Sequence, residues 1–316
     1  MNTFPIFLVP DRILRAKNAM PIVPLFSAIA PSKPSSPPQP YDTNALITYA
    51  TIGFAVSVIF VFINLVLGAV IGLLSMAAIA YLAWTMNQSF PKRKREHDDY
   101  DRKYPRLVQQ YQAAKDSHSA EVAKINSPEN IARYQQEQLL LALRQTEPHD
   151  GENSTAPKGF SEDKFYAHLN HHFRGRIHRS LTSTNQFKPP YNLYSPDFTY
   201  IARSLNLYID IEIDEPYYHN TGNPTHFVGA TKDITRNNHF LAKNWLVIRF
   251  AEEEIARCPK SCCKAIAQII AEVIGDDLEL RQFSGIEDLE NRKQWTEAEA
   301  AQMAADNYRQ TYLAGD

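Results

Sequence analysis

The alternation of apolar and polar positions changes character several times along the chain. From Ala45 to Met86 there is no charged residue, and the run ITYATIGFAVSVIFVFINLVLGAVIGLLSMAAIAYLAWTM is too apolar for a surface in water. As one helix it would be about 60 Å long, roughly twice the hydrocarbon thickness of a bilayer, so it predicts two spans. The break belongs near Asn64 to Gly68, giving spans over 45–63 and 69–86. Tyr41 and Tyr49 would then share one membrane face with Tyr81 and Trp84 as an aromatic belt, and Gly68 and Gly72 form a small-xxx-small pair that lets the helices approach. The alternative, a helical hairpin buried in a soluble domain, lacks enough other apolar surface in the chain to cover it.

Residues 96–145 switch to a polar helical pattern, with Leu107, Tyr111, Ala114, Ile131, Tyr134, Leu139, Leu140 and Leu143 at helical spacing and a break at Ser127-Pro128. Two helices forming a stalk are expected, with self-association through it. After the linker EPHDGENSTAPKG comes a helix over Ser161 to Phe173, whose core face is Phe165, Leu169 and Phe173. A strand at Pro196 to Ile201, a turn at Arg203 to Asn206 and an alternating strand Leu207 to Asp214 read as a hairpin. A helix over Lys232 to Asn244 leads into Trp245 to Ile248, a continuous apolar run that predicts a strand covered on both faces. Pro259 to Ile274 is an amphipathic helix, and Thr296, with Glu299 three residues on, caps a last helix running to Leu313.

Composition adds boundaries. The 316 residues, 44% hydrophobic and 22% charged, allow one globular domain plus further segments, and a net charge of −2 gives no whole-protein field that advertises a nucleic-acid partner. Local charge matters more. PKRKR at 91–95 marks the cytoplasmic side of the second span, and a hairpin returns Arg12, Arg15, Lys17 and Lys33 of the N-terminal tail to that side, so both termini are expected in the cytoplasm. Prolines at 5, 10, 21 and 24 argue against a signal peptide and for a disordered or partly extended tail. Cys258, Cys262 and Cys263 make a poor disulfide framework and lack a histidine to complete a zinc site, so reduced thiols are expected. The expected divisions are a Pro-rich tail (1–40), a transmembrane hairpin (41–90), a charged stalk (91–148), an α/β domain with a small mixed sheet flanked by helices (149–275) and a helical tail (276–316).

Candidate chemistry concentrates in the hairpin strands. Side chains on a strand alternate faces, so Asp210, Glu212 and Asp214 share one face and Ile209, Ile211 and Ile213 the other. Three carboxylates in a row need positive charge; lysine or arginine would serve, and a divalent cation held by oxygen ligands would serve too. The bland alternative is an exposed acidic edge strand, where charge discourages aggregation.

Glu162 in SEDKFYAHL, Asp197 in SPDF, Glu212 and Asp214 in IEIDEPY, Asp233 and Arg236 in KDITR, and Arg249-Phe250 in WLVIRF form an ordered set. Over residues 158 to 256 this set resembles the PD-(D/E)xK nuclease superfamily, and within it the very-short-patch-repair-like branch of small endonuclease-like domains. The resemblance implies a restriction-endonuclease-like α/β fold and a divalent-metal-dependent endonuclease, with Asp197, Glu212 and Glu162 as ligands of Mg²⁺ or Mn²⁺ and Asp214 in the catalytic set. The superfamily's lysine would stand where this chain has Asp214, so His219 and Lys232 are the candidates for base or charge stabiliser. Arg174, Arg176, Arg179 and Arg236 are the candidate phosphate contacts, with Arg236 either touching phosphate or bridging the carboxylates. Nucleic acid, DNA before RNA, and the lipid bilayer are the implied partners. A nuclease fold that no longer cleaves, serving as a membrane scaffold or nucleic-acid-binding module, is the alternative.

Overall fold

The computed structural model describes residues 2–152, 154–156, 158–184 and 193–313, so Tyr191 and Asn192 at the head of the hairpin stretch lie outside the described residues. The chain divides into two compact units, one running from Val23 to Ile125 and the other combining the N-terminal residues up to Ile22 with those from Asn126 onward.

The second of these, the head, begins with two short strands, β1 (Thr3–Phe4) and β2 (Ile6–Leu8), and helix α1 (Asp11–Lys17). The intervening unit holds α2 (Thr43–Ile63) and α3 (Leu65–Ile125). The head resumes with α4 (Pro128–Leu143), α5 (Glu162–His172), β3 (Ile177–His178), β4 (Ser183–Thr184), β5 (Leu193–Tyr194), β6 (Phe198–Ala202) and β7 (Leu207–Asp214). It continues through α6 (Thr231–Ala242), β8 (Leu246–Ala251), α7 (Glu252–Arg257), α8 (Pro259–Ile274), β9 (Arg292–Lys293), α9 (Glu297–Ala305) and α10 (Gln310–Leu313).

A five-stranded mixed sheet in the order β2-β8-β7-β6-β3 organises the head. Only β7 and β8 run parallel, joined through α6; the other neighbours are antiparallel. The β6–β7 turn closes on Asn206 at φ 54°, a left-handed conformation that asparagine tolerates better than most residues. The Asn206 amide then donates to the carbonyls of Leu143 (2.9 Å) and Thr146 (3.1 Å), fixing the turn to the end of α4. On one sheet face Ile209, Ile211, Ile213, Ile248 and Phe250 pack with Phe165 and Leu169 of α5 and Ile266 and Ile270 of α8. On the other, Tyr208 and Val247 join Trp245 and Phe240 of α6. The mixed sheet flanked by helices is therefore as expected, and β7 is its central strand rather than an exposed edge. Asp210, Glu212 and Asp214 are all buried.

Three boundaries differ from the sequence reading. The N-terminal residues are not a free tail: β2 adds an edge strand to β8, with Ile6 opposite Arg249 and Leu8 opposite Val247, and Ile13 of α1 is fully buried. Pro5 and Pro10 bracket this three-residue strand at the sheet edge, where a missing N–H is tolerated. Helix α4 belongs to the head core through Leu139, Ala142 and Leu143, not to a stalk. The C-terminal segment also packs onto the head, through β9 paired with β1 and through Trp295 and Ala300 against Phe4. Its capping box at Thr296 and Glu299 forms, but α9 stops at Ala305, followed by Asn307 at φ 50°.

The other unit contains two helices long and apolar enough to cross a membrane. Asn64 alone separates them, and α3 continues through Pro91 and Pro105 to Ile125. Small residues set their contact. A Cβ added at Gly72 would lie 3.0 Å from Ser57 Oγ, one at Gly53 2.8 Å from Ser75 Cβ, and one at Gly68 2.6 Å from the Val61 nitrogen. Residues 24–35 run along α3. Phe26 meets Tyr111 edge-on (5.7 Å) and His118 at a tilt (5.2 Å), Tyr100 donates to the Ser32 carbonyl (2.7 Å), and His97 lies 2.8 Å from the Ser35 carbonyl. From Pro24 to Ser35 a polyproline-like rise covers about 34 Å, matching the roughly 32 Å that an α-helix rises from His97 to His118. The proline-rich segment is an extended strap matched in length to the helix that it follows.

Candidate carboxylate site

The β6–β7 register pairs Phe198 with Ile211, which places Asp197, one residue earlier, opposite Glu212 on the α6 side of the sheet. Asp197 Oδ2 accepts the Ile213 N–H at 2.7 Å. Glu162, in the first turn of α5, accepts the Gly159 N–H and lies 3.6 Å from Arg179. Burial raises the Asp197 carboxyl well above its ordinary range, and the charges of Glu212 and then Glu162 push it further in the same direction. Three elements thus bring Glu162, Asp197 and Glu212 into one electrostatic neighbourhood.

The positive charge that the strand carboxylates need comes from arginine. Arg236 on α6 donates to Glu212 and, at 2.6 Å, to the Ser195 carbonyl. Burial alone would raise Glu212, yet Arg236 and Arg249 prevail and hold it below the usual carboxylate value. Arg249, opposite Glu212 on β8, grips both oxygens of Asp214 at 2.9 and 2.5 Å. It also reaches Asn237 (3.1 Å) and Asp233 (3.2 Å). Asp214 is thereby committed to a buried ion pair, further along the strand from Asp197. Asp210 is fully buried beside Glu212, and the hydroxyl of its cross-strand neighbour Thr199 has no hydrogen-bond partner; burial and then Glu212 raise the Asp210 carboxyl strongly.

The candidate bases sit elsewhere. Lys232 donates to Tyr218 (2.7 Å) and to Thr225, and His219 is exposed on the loop closed by the Tyr217–Pro224 bridge. Among the described residues neither forms a hydrogen bond or ion pair with Glu162, Asp197 or Glu212. Of the basic run, Arg176 pairs with Glu279 and donates to Tyr200 (2.8 Å), and Arg179 pairs with Asp163 (2.8 Å) above the Tyr166 ring; Arg174 is exposed.

Two residues that the sequence reading passed over join the site. His226, held at φ 48°, lies 3.0 Å from Asp233 and 3.3 Å from Asp214; burial would lower it, but these carboxylates raise it. It is a nearer histidine to the carboxylates than His219, and its one sequence signal is its place between the E-x-D pair and Asp233. Glu215 follows the end of β7. A Cβ on Gly159 would stand 3.2 Å from both Glu162 Oε1 and Glu215 Oε1, so glycine leaves room for two carboxylates to converge there.

The all-oxygen donor set suits a hard dication. As the side chains stand, however, Glu212 is held by Arg236, Asp197 by Ile213 and Glu162 by Gly159, and among the described residues no three His, Cys, Asp or Glu groups form a metal-holding cluster. Loading an ion would require Glu212 to exchange Arg236 for it. Comparison of the chain with models of protein families, with curated proteins and with solved structures gives no match.

Proposed function

We propose that the chain is a membrane-anchored, divalent-metal-dependent, nuclease-like hydrolase with a restriction-endonuclease-like head, acting on phosphodiester bonds in nucleic acid, DNA before RNA. The observation that carries this reading is the convergence of Glu162, Asp197 and Glu212 from three elements, close enough that Glu162 and Glu212 both raise Asp197. Such repulsion is relieved by a proton or by a dication, and Asp197, Glu212 and Glu162 would hold Mg²⁺ or Mn²⁺. A bound ion of this kind neutralises phosphate charge and lowers the pKa of an attacking water. Arg236 and Arg179 flank the carboxylates as fixed guanidinium groups suited to phosphate oxygens, and His226 with Asp233 forms a buried pair able to hold a proton.

The anchor is the apolar hairpin. Both of its flanks lead into the same head, since β2 before it pairs with β8 after it, so an intact sheet requires both flanks on one side of the membrane. The basic run at 91–95 assigns that side, with both termini, to the cytoplasm.

A second reading, a head that no longer cleaves and serves as a scaffold or binding module, is favoured by the arginines. Arg236 on Glu212 and Arg249 on Asp214 already supply the charge that a metal would bring. Full-length protein in nanodiscs, incubated with single- and double-stranded DNA and RNA, distinguishes the two. Cleavage only with Mg²⁺ or Mn²⁺, abolished in Glu212→Gln and Asp197→Asn, supports the hydrolase; binding without cleavage under every condition replaces it with the second reading.

A further inference from the structure

We infer that the apolar hairpin ends at the far boundary of the bilayer and presents no aqueous loop there, so that every water-exposed part of the chain lies on one side. The inference rests on the reading of α2 and α3 as the membrane anchor and fixes how deep that anchor goes.

Depth follows from register. Gly53 packs against Ser75, Ser57 against Gly72 and Val61 against Gly68, so the two helices run side by side, each step forward on α2 matching a step back on α3. Carried toward the open end, this ladder sets Tyr49 beside Tyr81 and Ala45 beside Trp84, and Tyr81 and Trp84 stack at 6.0 Å. That cluster is the aromatic girdle at the entry face. From it to Leu65 the helix rises about 24 to 29 Å, and a bilayer's hydrocarbon is about 30 Å thick. The hairpin therefore reaches the far boundary with no length to spare, and tilt shortens its reach.

The turn is built for that depth. One residue, Asn64, makes the connection, and its backbone N–H, backbone carbonyl and side-chain oxygen bond within the hairpin. Its N–H donates to the Phe60 carbonyl (2.8 Å) and its carbonyl accepts from Gly68 (3.0 Å). Its side-chain oxygen accepts from Val66 (2.9 Å) and Leu67 (3.2 Å), taking two of the N–H groups that a helix start leaves without partners. Ser57 donates to the Gly68 carbonyl at 2.9 Å. Around the turn the outward side chains are Phe62, 88% exposed, Ile63, Leu65 and Val66, 72% exposed. A loop in water would place these apolar side chains in water. Acyl chains and the inner edge of the far headgroups cover them instead.

The test places single cysteines, Ile63→Cys, Val66→Cys and the reference Gln88→Cys, in full-length protein carrying Cys258→Ser. Sealed right-side-out and inside-out vesicles are treated with a membrane-impermeant maleimide. Gln88→Cys should label from one side only. Ile63→Cys and Val66→Cys should label at least tenfold less from either side and fully once detergent dissolves the bilayer. Labelling of either tip position from the side opposite Gln88 overturns the inference while leaving the anchor in place. Labelling of all three from the same side means that the hairpin is not inserted, and the anchor reading falls with it. Tip cysteines still unlabelled in detergent are covered by protein rather than lipid, which also overturns the inference.

Discussion

Buried acids in the head are handled in two ways, and each predicts a different response to substitution. Asp214 is held in a two-point grip by Arg249, itself 1% exposed. Removing one partner of such a pair leaves a charge stranded in low dielectric, so Arg249→Met should cost about 3–5 kcal/mol, read from urea unfolding in detergent followed by tryptophan fluorescence. A loss below about 1 kcal/mol would mean that water or another cation reaches Asp214. Glu254 takes the other route: its Oε2 accepts the Ala251 N–H at 2.9 Å, its Oε1 has no partner, and burial pushes its pKa up to about 7. Because the folded state holds this proton more tightly than the unfolded chain, its stabilising contribution is complete below pH 4.5 and is lost as pH rises through 7. Glu254→Gln keeps the acceptor for Ala251 and removes the titration. Its stability relative to wild type should climb by on the order of 2 to 3 kcal/mol between pH 4 and 8 and then level off. A difference that stays flat with pH would show Glu254 ionised throughout. The strand alternation told which acids share a face. Arg236 bridging the carboxylates was one of two roles the sequence left open for it, but that Arg249 of β8 would grip Asp214 depends on which strands become neighbours.

At the scale of elements, the parts with strong local periodicity were legible: the core face of α5, the β6–β7 hairpin, α6, β8 and α8 each stand within a few residues of where pattern placed them. Elements too short to carry a period were not. Strand β2 has three residues, and only its partner β8 gives it a reason to be extended. The α2–α3 hairpin shows how one contact residue sets a whole pairing. A Cβ on Gly72 would lie 3.8 Å from Ser57 Cβ, close to the usual disulfide separation. Ser57→Cys with Gly72→Cys should therefore crosslink nearly completely under mild oxidation, seen as loss of free thiol by mass spectrometry. Adding Gly68→Leu should cut that yield severalfold, because even its first carbon would stand 2.4 Å from Val61 Cγ2 and force the helices apart. Equal yields with and without the leucine would mean that the helices meet along a different line.

The whole molecule is a head whose sequence is interrupted by the α2–α3 unit. Strand β2 and helix α1 precede the insertion, yet β2 covers one edge of β8 and Ile13 joins the core that contains Leu139 and Leu143 of α4. A fragment starting at residue 126 would leave β8 as an unpaired apolar edge and uncover the site where Ile13 sits, both of which favour association. It should express largely as aggregate. Joining residue 22 to residue 126 through about ten Gly and Ser residues, which span roughly 17 Å on average, should restore β2 and α1 without the hairpin. Since α1 and α4 pack together, each cut end lies within about five residues of one of two neighbouring helices. The joined head should run as a soluble species in size-exclusion chromatography and show a cooperative urea transition. A bare 126–313 fragment as soluble and cooperative as the joined one would mean that the N-terminal residues only decorate the sheet. If the joined head aggregates while full-length protein in nanodiscs stays folded, the α2–α3 unit would be a structural part of the fold.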